Sequence, residues 1–173
     1  KQLGIDLEVY AADMAPGWSP ASQVADKFYK VECCTSKRFI SQMIQICEEN
    51  EISLIIPTID TELIIFAESR QLFLDIGTNI HVGDTAFVSI ARDKQETVKH
   101  FKKYGIPVPV SWVIKEIYDQ KDQIVFPLLI KPKGGSCSKN IHIVNSFEHL
   151  CNLGGDPADW LVQEICKGDE YTI

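Results

Sequence analysis

The chain has 173 residues, of which 45% are hydrophobic and 24% charged, enough for one domain or two small ones with a real buried core. Its formal net charge of -7 excludes a polybasic surface, and nucleic acid is not an expected partner. No apolar run approaches the ~18 residues that span a bilayer, and KQLGIDLEVYAADMAPG lacks a continuous apolar signal core, so no membrane partner and a cytoplasmic location are expected.

Residues 5–12 (IDLEVYAA) read as a strand ending at Asp13, followed by a Pro/Gly-rich loop, MAPGWSP. Residues 36–50 place Phe39, Ile40, Met43, Ile44, Ile46 and Cys47 at helical spacing, with Ser36 as the expected N-cap. Residues 52–56 (ISLII) form a short all-apolar run stopped by Pro57, which predicts a strand buried on both faces of a parallel sheet. A helix over 61–70 and a short strand over 79–82 follow. Strands alternating with helices predict an open, parallel α/β sheet of the doubly wound, Rossmann-like kind, whose ligands sit beyond the carboxyl ends of the strands. In IIPTIDTEL, Thr58, Asp60 and Glu62 stand at such a place. Capping of the next helix and a ligand role are both open there.

The pattern changes near residue 91. Residues 93–104 (DKQETVKHFKKY) predict a charged amphipathic helix, with Asp93 and Glu96 spaced as a capping box and Gly105 as its stop. Strands are expected over 110–114, 125–131, 141–144 and 160–164, a helix over 146–153, and the start of a strand at 170–173. Few helices among hairpins indicate a small α+β unit, so the expected division is 1–91 and 92–173. No internal repeat or low-complexity segment is present. KQLG reads as the tail of a helix and EYTI as the opening of a strand, so both units are expected to be incomplete pieces of a longer protein. The six cysteines form no CxxC pair. Cys33 and Cys34 are adjacent, Cys47, Cys137, Cys151 and Cys166 are scattered, and reduced, buried or half-buried thiols are expected.

The segment with most chemistry is FPLLIKPKGGSCSKNIHIV, residues 126–144. Lys131, Lys133 and Lys139 frame Gly134, Gly135, Ser136 and Ser138 between two strands. Glycines let backbone N–H groups converge on an anion, hydroxyls add donors, and lysines supply charge. No helix pattern follows directly, so this is not the GxxxxGK[ST] loop. Taken alone, the segment is open between a phosphate-covering flap and a solvated hairpin turn. Lys131, at a strand end before a proline, is the most firmly held of the three.

In order, ARDKQETVKHFKKYGIPVPVSW, FPLLIKPKGGSCSKNIHIV and WLVQEICKGDEYTI resemble the ATP-grasp superfamily. Upstream, IIPTIDTELIIFAE resembles the domain that precedes ATP-grasp in carbamoyl phosphate synthase large chains and related carboxylate–amine ligases. The resemblance implies a pre-ATP-grasp α/β domain followed by the first part of an ATP-grasp domain. It implies that Lys94 and Lys131 contact phosphate, and that Gly134, Gly135 and Ser136 belong to the flap. It further implies that Glu164 accepts from the adenine amino group, that the Cys166 backbone meets the ring, and that Glu170 binds the ribose hydroxyls. ATP and Mg²⁺ are the implied cofactors, with the metal ligands and an acyl-phosphate-orienting arginine expected beyond Ile173. No catalytic residue is assigned within the chain. The implied activity is a ligase that phosphorylates a carboxylate or bicarbonate for attack by an amine, with small-molecule carboxylate and amine partners and a homodimer as the candidate assembly. SCSKN after Gly135 carries fewer glycines than related flaps. The other readings are a non-catalytic nucleotide-binding or subunit-assembly module on the same fold, and a flavodoxin-like domain with an accidental basic hairpin.

Overall fold

A computed structural model describes residues 4, 7–135 and 139–169. Two compact units divide the chain, residues 1–85 and 86–173. In the first, β1 (Tyr10–Asp13) leads through a 3-10 turn (Pro16–Trp18) and a single-turn helix α1 (Ala21–Val24) into β2 (Lys27–Lys30). Helix α2 (Phe39–Glu49), strand β3 (Leu54–Ile55), a 3-10 turn (Asp60–Glu62), helix α3 (Leu63–Leu74) and strand β4 (Asn79–Ile80) follow. β1 pairs with β2 and β3 with β4, both in parallel, as separate two-stranded ladders among the described residues. The expected parallel α/β character is present.

The core of this unit follows from spacing. Phe39, Met43 and Cys47 repeat every four residues on α2 and bury one stripe against Phe66 and Phe73 of α3. Phe66 stacks edge-on with Phe39 at 5.5 Å and with Phe73 at 5.8 Å. Two expectations are corrected here. The strand expected over 52–56 shrinks to two residues and is not buried on both faces: Ile55 packs into the core, while Leu54 and Ile56 are 51% and 62% exposed. Among the described residues helices cover one side of that ladder, and an all-apolar run cannot announce which side. Helix α2 starts at Phe39 with Arg38 as its N-cap rather than at Ser36. The Ser36 hydroxyl instead accepts from the Arg38 N–H at 3.3 Å, closing the turn before the helix.

Helix α4 (Thr85–Arg92) crosses the division, and α5 (Lys94–Lys103) opens the rest of the second unit. Strand β5 (Ser111–Val113), helix α6 (Ile114–Asp119), a 3-10 turn (Lys121–Gln123), strands β6 (Leu128–Pro132) and β7 (His142–Val144), helix α7 (Phe147–Cys151), a 3-10 turn (Pro157–Asp159) and strand β8 (Trp160–Glu164) complete it. The four strands form one antiparallel sheet in the order β5-β8-β6-β7. Ile114 and Ile117 of α6 and Leu150 of α7 pack with Leu128, Ile130, Val144 and Val162 of the sheet. α4 and α6 lay outside the elements expected from the sequence.

The ends of α5 show how local chemistry sets its length. Asp93 accepts from the N–H groups of Gln95 (2.8 Å) and Glu96 (3.1 Å), satisfying two of the donors a helix start leaves open. Only half of the expected capping box forms, because the Glu96 carboxylate pairs with Lys99 at 2.7 Å and the Asp93 N–H goes to Ser89 O. At the other end Gly105 takes φ +69°. Its N–H goes to Lys102 O while Ile106 N–H goes to Phe101 O, the paired bonds of a left-handed C-terminal stop.

Candidate functional site

Strand β6 carries its side chains alternately to the two faces of the second sheet. Leu128 and Ile130 enter the core, so Lys131 stands on the opposite face, at the strand end. The register places Gln163 of β8 opposite Leu129 and opposite Ser111 of β5. Lys131 is therefore diagonal to Gln163, a separation that long side chains bridge. The Lys131 ammonium donates to Gln163 Oε1 at 2.9 Å, Gln163 Nε2 donates to Ser111 Oγ at 2.9 Å, and Ser111 Oγ donates to Pro109 O at 2.9 Å.

Lys94 reaches the same region from the first residue of α5. Its N–H donates to Lys133 O at 2.9 Å, and its ammonium donates to Gly135 O at 3.0 Å and Lys133 O at 3.5 Å. Lys133 N–H in turn donates to Asp159 O at 2.9 Å. The base of the glycine-rich turn is thus stitched on one side to a helix start and on the other to the entry of β8. Gly135 adopts φ +105°, a conformation that other residues reach only with strain.

Among the described residues the hydrogen-bond acceptors on these two ammonium groups are neutral: backbone carbonyls for Lys94, a side-chain amide for Lys131. Burial, then repulsion by Lys94, pushes Lys131 below the ordinary lysine value, and Cys166 acts in the opposite sense. A lysine at a helix N-terminus also sits at the unfavourable, positive end of the helix dipole. Two cations, a helix start and a glycine turn make a locus whose electrostatics favour an incoming anion.

Lys94, Lys131, Gly134 and Gly135 are brought together, and Ser136 lies outside the described residues, as do Cys137, Ser138 and Glu170. Glu164 ends β8, where its N–H donates to Val110 O at 2.9 Å and its Oε1 accepts from Val110 N–H at 2.8 Å. Cys166, two residues on, is exposed and close enough to Lys131 to influence its charge. Gln163 was given no role from the sequence. The available signal was its parity: it is a polar residue on the face of β8 opposite Val162, within an otherwise apolar WLV run.

At IIPTIDTEL, Glu62 Oε1 accepts from Thr58 N–H (2.8 Å) and Ile59 N–H (3.2 Å), so that carboxylate closes its own turn. Among the described cysteines Cys47 is buried and Cys34 half-buried. Cys33, Cys151 and Cys166 are exposed, which corrects the expectation of generally buried thiols. Polar partners keep two of the exposed ones at the surface. The Thr35 hydroxyl donates to Cys33 Sγ at 3.3 Å and lowers its pKa, and Cys151 Sγ bonds the Tyr118 hydroxyl at 3.3 Å. No described helix is long and apolar enough to cross a membrane. Among the described residues no three His, Cys, Asp or Glu side chains gather as a metal-ligand set.

The geometry agrees with what comparison with known proteins shows. Residues 91–173 match the model of the ATP-grasp domain, and residues 1–81 match that of the PylC-like N-terminal domain. Residues 91–173 therefore belong to the ATP-grasp family, and residues 1–81, which precede them, to the PylC-like N-terminal family. Carbamoyl-phosphate synthase of Methanobrevibacter smithii is 24% identical over 134 residues, 75% of this chain and 36% of that protein. D-alanine–D-alanine ligase A of Bacillus cereus is 28% identical over 93 residues, 49% of this chain and 31% of that protein. The chain thus spans about a third of the length of these relatives. The fold is shared with N5-carboxyaminoimidazole ribonucleotide synthetase from Thermotoga maritima (TM-score 0.64, 22% identity, 95% of this chain and 40% of that one). It is also shared with the biotin carboxylase domain of Hydrogenobacter thermophilus 2-oxoglutarate carboxylase, solved as a dimer with MgADP, ADP and bicarbonate (TM-score 0.70, 17% identity, 95% and 40%).

Proposed function

We propose that the chain is the nucleotide-binding portion of an ATP-dependent ligase that activates a carboxylate or bicarbonate as an acyl phosphate for attack by an amine. The observation that carries this reading is that the Lys94 ammonium bonds the Gly135 carbonyl of the glycine turn, while the Lys131 ammonium, close enough for Lys94 to repel it, bonds the neutral Gln163 amide in the same ATP-grasp segment. Phosphoryl transfer relies chiefly on positioning and on neutralising phosphate charge, which two lysines at a closing flap supply. In this reading Lys94 exchanges its carbonyl partners for phosphate oxygens, and Gly134, Gly135 and Ser136 close over them. Glu164 accepts from the adenine amino group, the Cys166 backbone meets the ring edge, and Glu170 holds the ribose. Mg²⁺ bound with the nucleotide would supply further charge neutralisation. The nucleotide-binding part is taken to begin at residue 92.

The carboxylate and amine partners are small molecules, the assembly is a homodimer, and the compartment is cytoplasmic. By itself the chain binds nucleotide weakly without turnover, since these relatives are about twice its length. Isothermal titration with ATP and excess Mg²⁺ tests the reading: saturable binding heat is expected. No binding at millimolar ATP overturns the nucleotide assignment, and sustained ATP hydrolysis by this chain overturns its proposed incompleteness.

A further inference from the structure

We infer that Gln163 is the positioning residue of the phosphate-binding lysine: its side-chain amide, locked in one orientation by Ser111, holds the Lys131 ammonium at the end of β6 for an incoming nucleotide phosphate. The inference rests on the nucleotide reading above and adds to it a residue, and a rank of support behind that residue, which the family pattern did not supply.

The argument begins with burial. Gln163 is 7% exposed, one of few buried polar side chains among the described residues, and a buried amide is retained only where its hydrogen bonds are met. Its two ends face different chemistry. Ser111 Oγ gives its proton to Pro109 O, so towards Gln163 it presents a lone pair, and only the NH₂ end of the amide can face it. That choice leaves Oε1, the acceptor end, directed at Lys131 at 2.9 Å. The reverse orientation would set an NH₂ group against an ammonium and two acceptors against each other. The three-strand register fixes the amide, and the amide fixes the lysine.

Two consequences follow for a cation that is half-buried and repelled by Lys94. The neutral acceptor stabilises the charged form of Lys131 without cancelling its charge, as a carboxylate would. It also engages only one of three ammonium N–H groups and reduces the rotamer freedom lost on binding. Among the described residues the titratable groups facing Lys131 are Lys94 from α5, which disfavours its charge, and Cys166 from the segment after β8, which favours it. Nucleotide affinity should therefore fall as pH rises through the Lys131 pKa of the free protein, and Gln163 should set where that fall begins.

The test combines titration calorimetry with MgATP across neutral to alkaline pH and an NMR titration of the Lys131 Cε–H signal. Gln163→Leu is expected to weaken MgATP binding about tenfold, the loss of one hydrogen bond to a charge. It should also move both the affinity fall and the Lys131 titration to lower pH. Gln163→Glu keeps the volume and should move both to higher pH while still weakening phosphate binding. A purely structural role predicts lower thermal stability with no movement of the Lys131 titration in either variant, and that result overturns the inference. Wild-type binding that Lys131→Met abolishes and Gln163→Leu leaves unchanged overturns the inference alone. Failure of the wild-type chain to bind MgATP overturns the nucleotide reading and this inference with it.

Discussion

Lys131 concentrates most of the chemistry in one side chain. It is half-buried, close to a second lysine, and bonded to a neutral amide. Removing it by Lys131→Ala is expected to weaken MgATP binding more than any other single change in the turn, by at least tenfold. An affinity within twofold of wild type would return residues 126–144 to the solvated-hairpin reading. Its charge also links stability to pH. Its pKa lies below the ordinary 10.5 in the folded chain, so over that window the unfolded chain binds more protons. Stability at this site should therefore rise as pH climbs from the folded-state pKa to 10.5, because deprotonation relieves the burial and repulsion. Thermal melts of wild type and Lys131→Met through that range check the sign: the difference between them should change in favour of wild type at alkaline pH.

At the scale of elements, the start of α5 and the entry to β8 position the site and are open to separate tests. Asp93 caps two N–H groups at the helix start that presents Lys94, so Asp93→Ala should cost about 1 kcal/mol in chemical denaturation. It should also loosen Lys94, raising the MgATP dissociation constant. Gly155 precedes β8 with φ +97°, and a Cβ there would lie 3.2 Å from Trp160 Nε1. Gly155→Ala should cost about 1–3 kcal/mol through backbone strain and that contact. In the first unit the Phe39–Phe66–Phe73 stack is the corresponding element, and Phe66→Ala should cost about 3–5 kcal/mol. Both costs are measured by urea denaturation, and values under half a kcal/mol would contradict the packing described.

For the whole molecule, nucleotide binding must appear as stability. MgATP at 100 times its dissociation constant should add about 2.7 kcal/mol, seen as a raised melting temperature that depends on nucleotide concentration. A melting temperature indifferent to MgATP would contradict binding to the folded chain. Much of this architecture was legible beforehand. Alternating strands and helices announced the α/β first unit, the apolar stripe of α2 announced its core, and the hairpin-rich second half announced the antiparallel sheet. Local chemistry placed Asp93 as a cap and Gly105 as a stop, and three ordered motifs carried the resemblance to the family. These signals are local or periodic, so one strand or one turn is enough to carry them. The sequence by itself could not say that ISLII would expose Leu54 and Ile56, that Glu62 would close its own turn, or that Gln163 would hold Lys131. Those outcomes depend on which face a helix covers and on the register between β5, β8 and β6, whose residues lie some 30 to 50 positions apart in the chain. Pairing at that distance is chosen by packing of the whole sheet, and only the tertiary structure decides it.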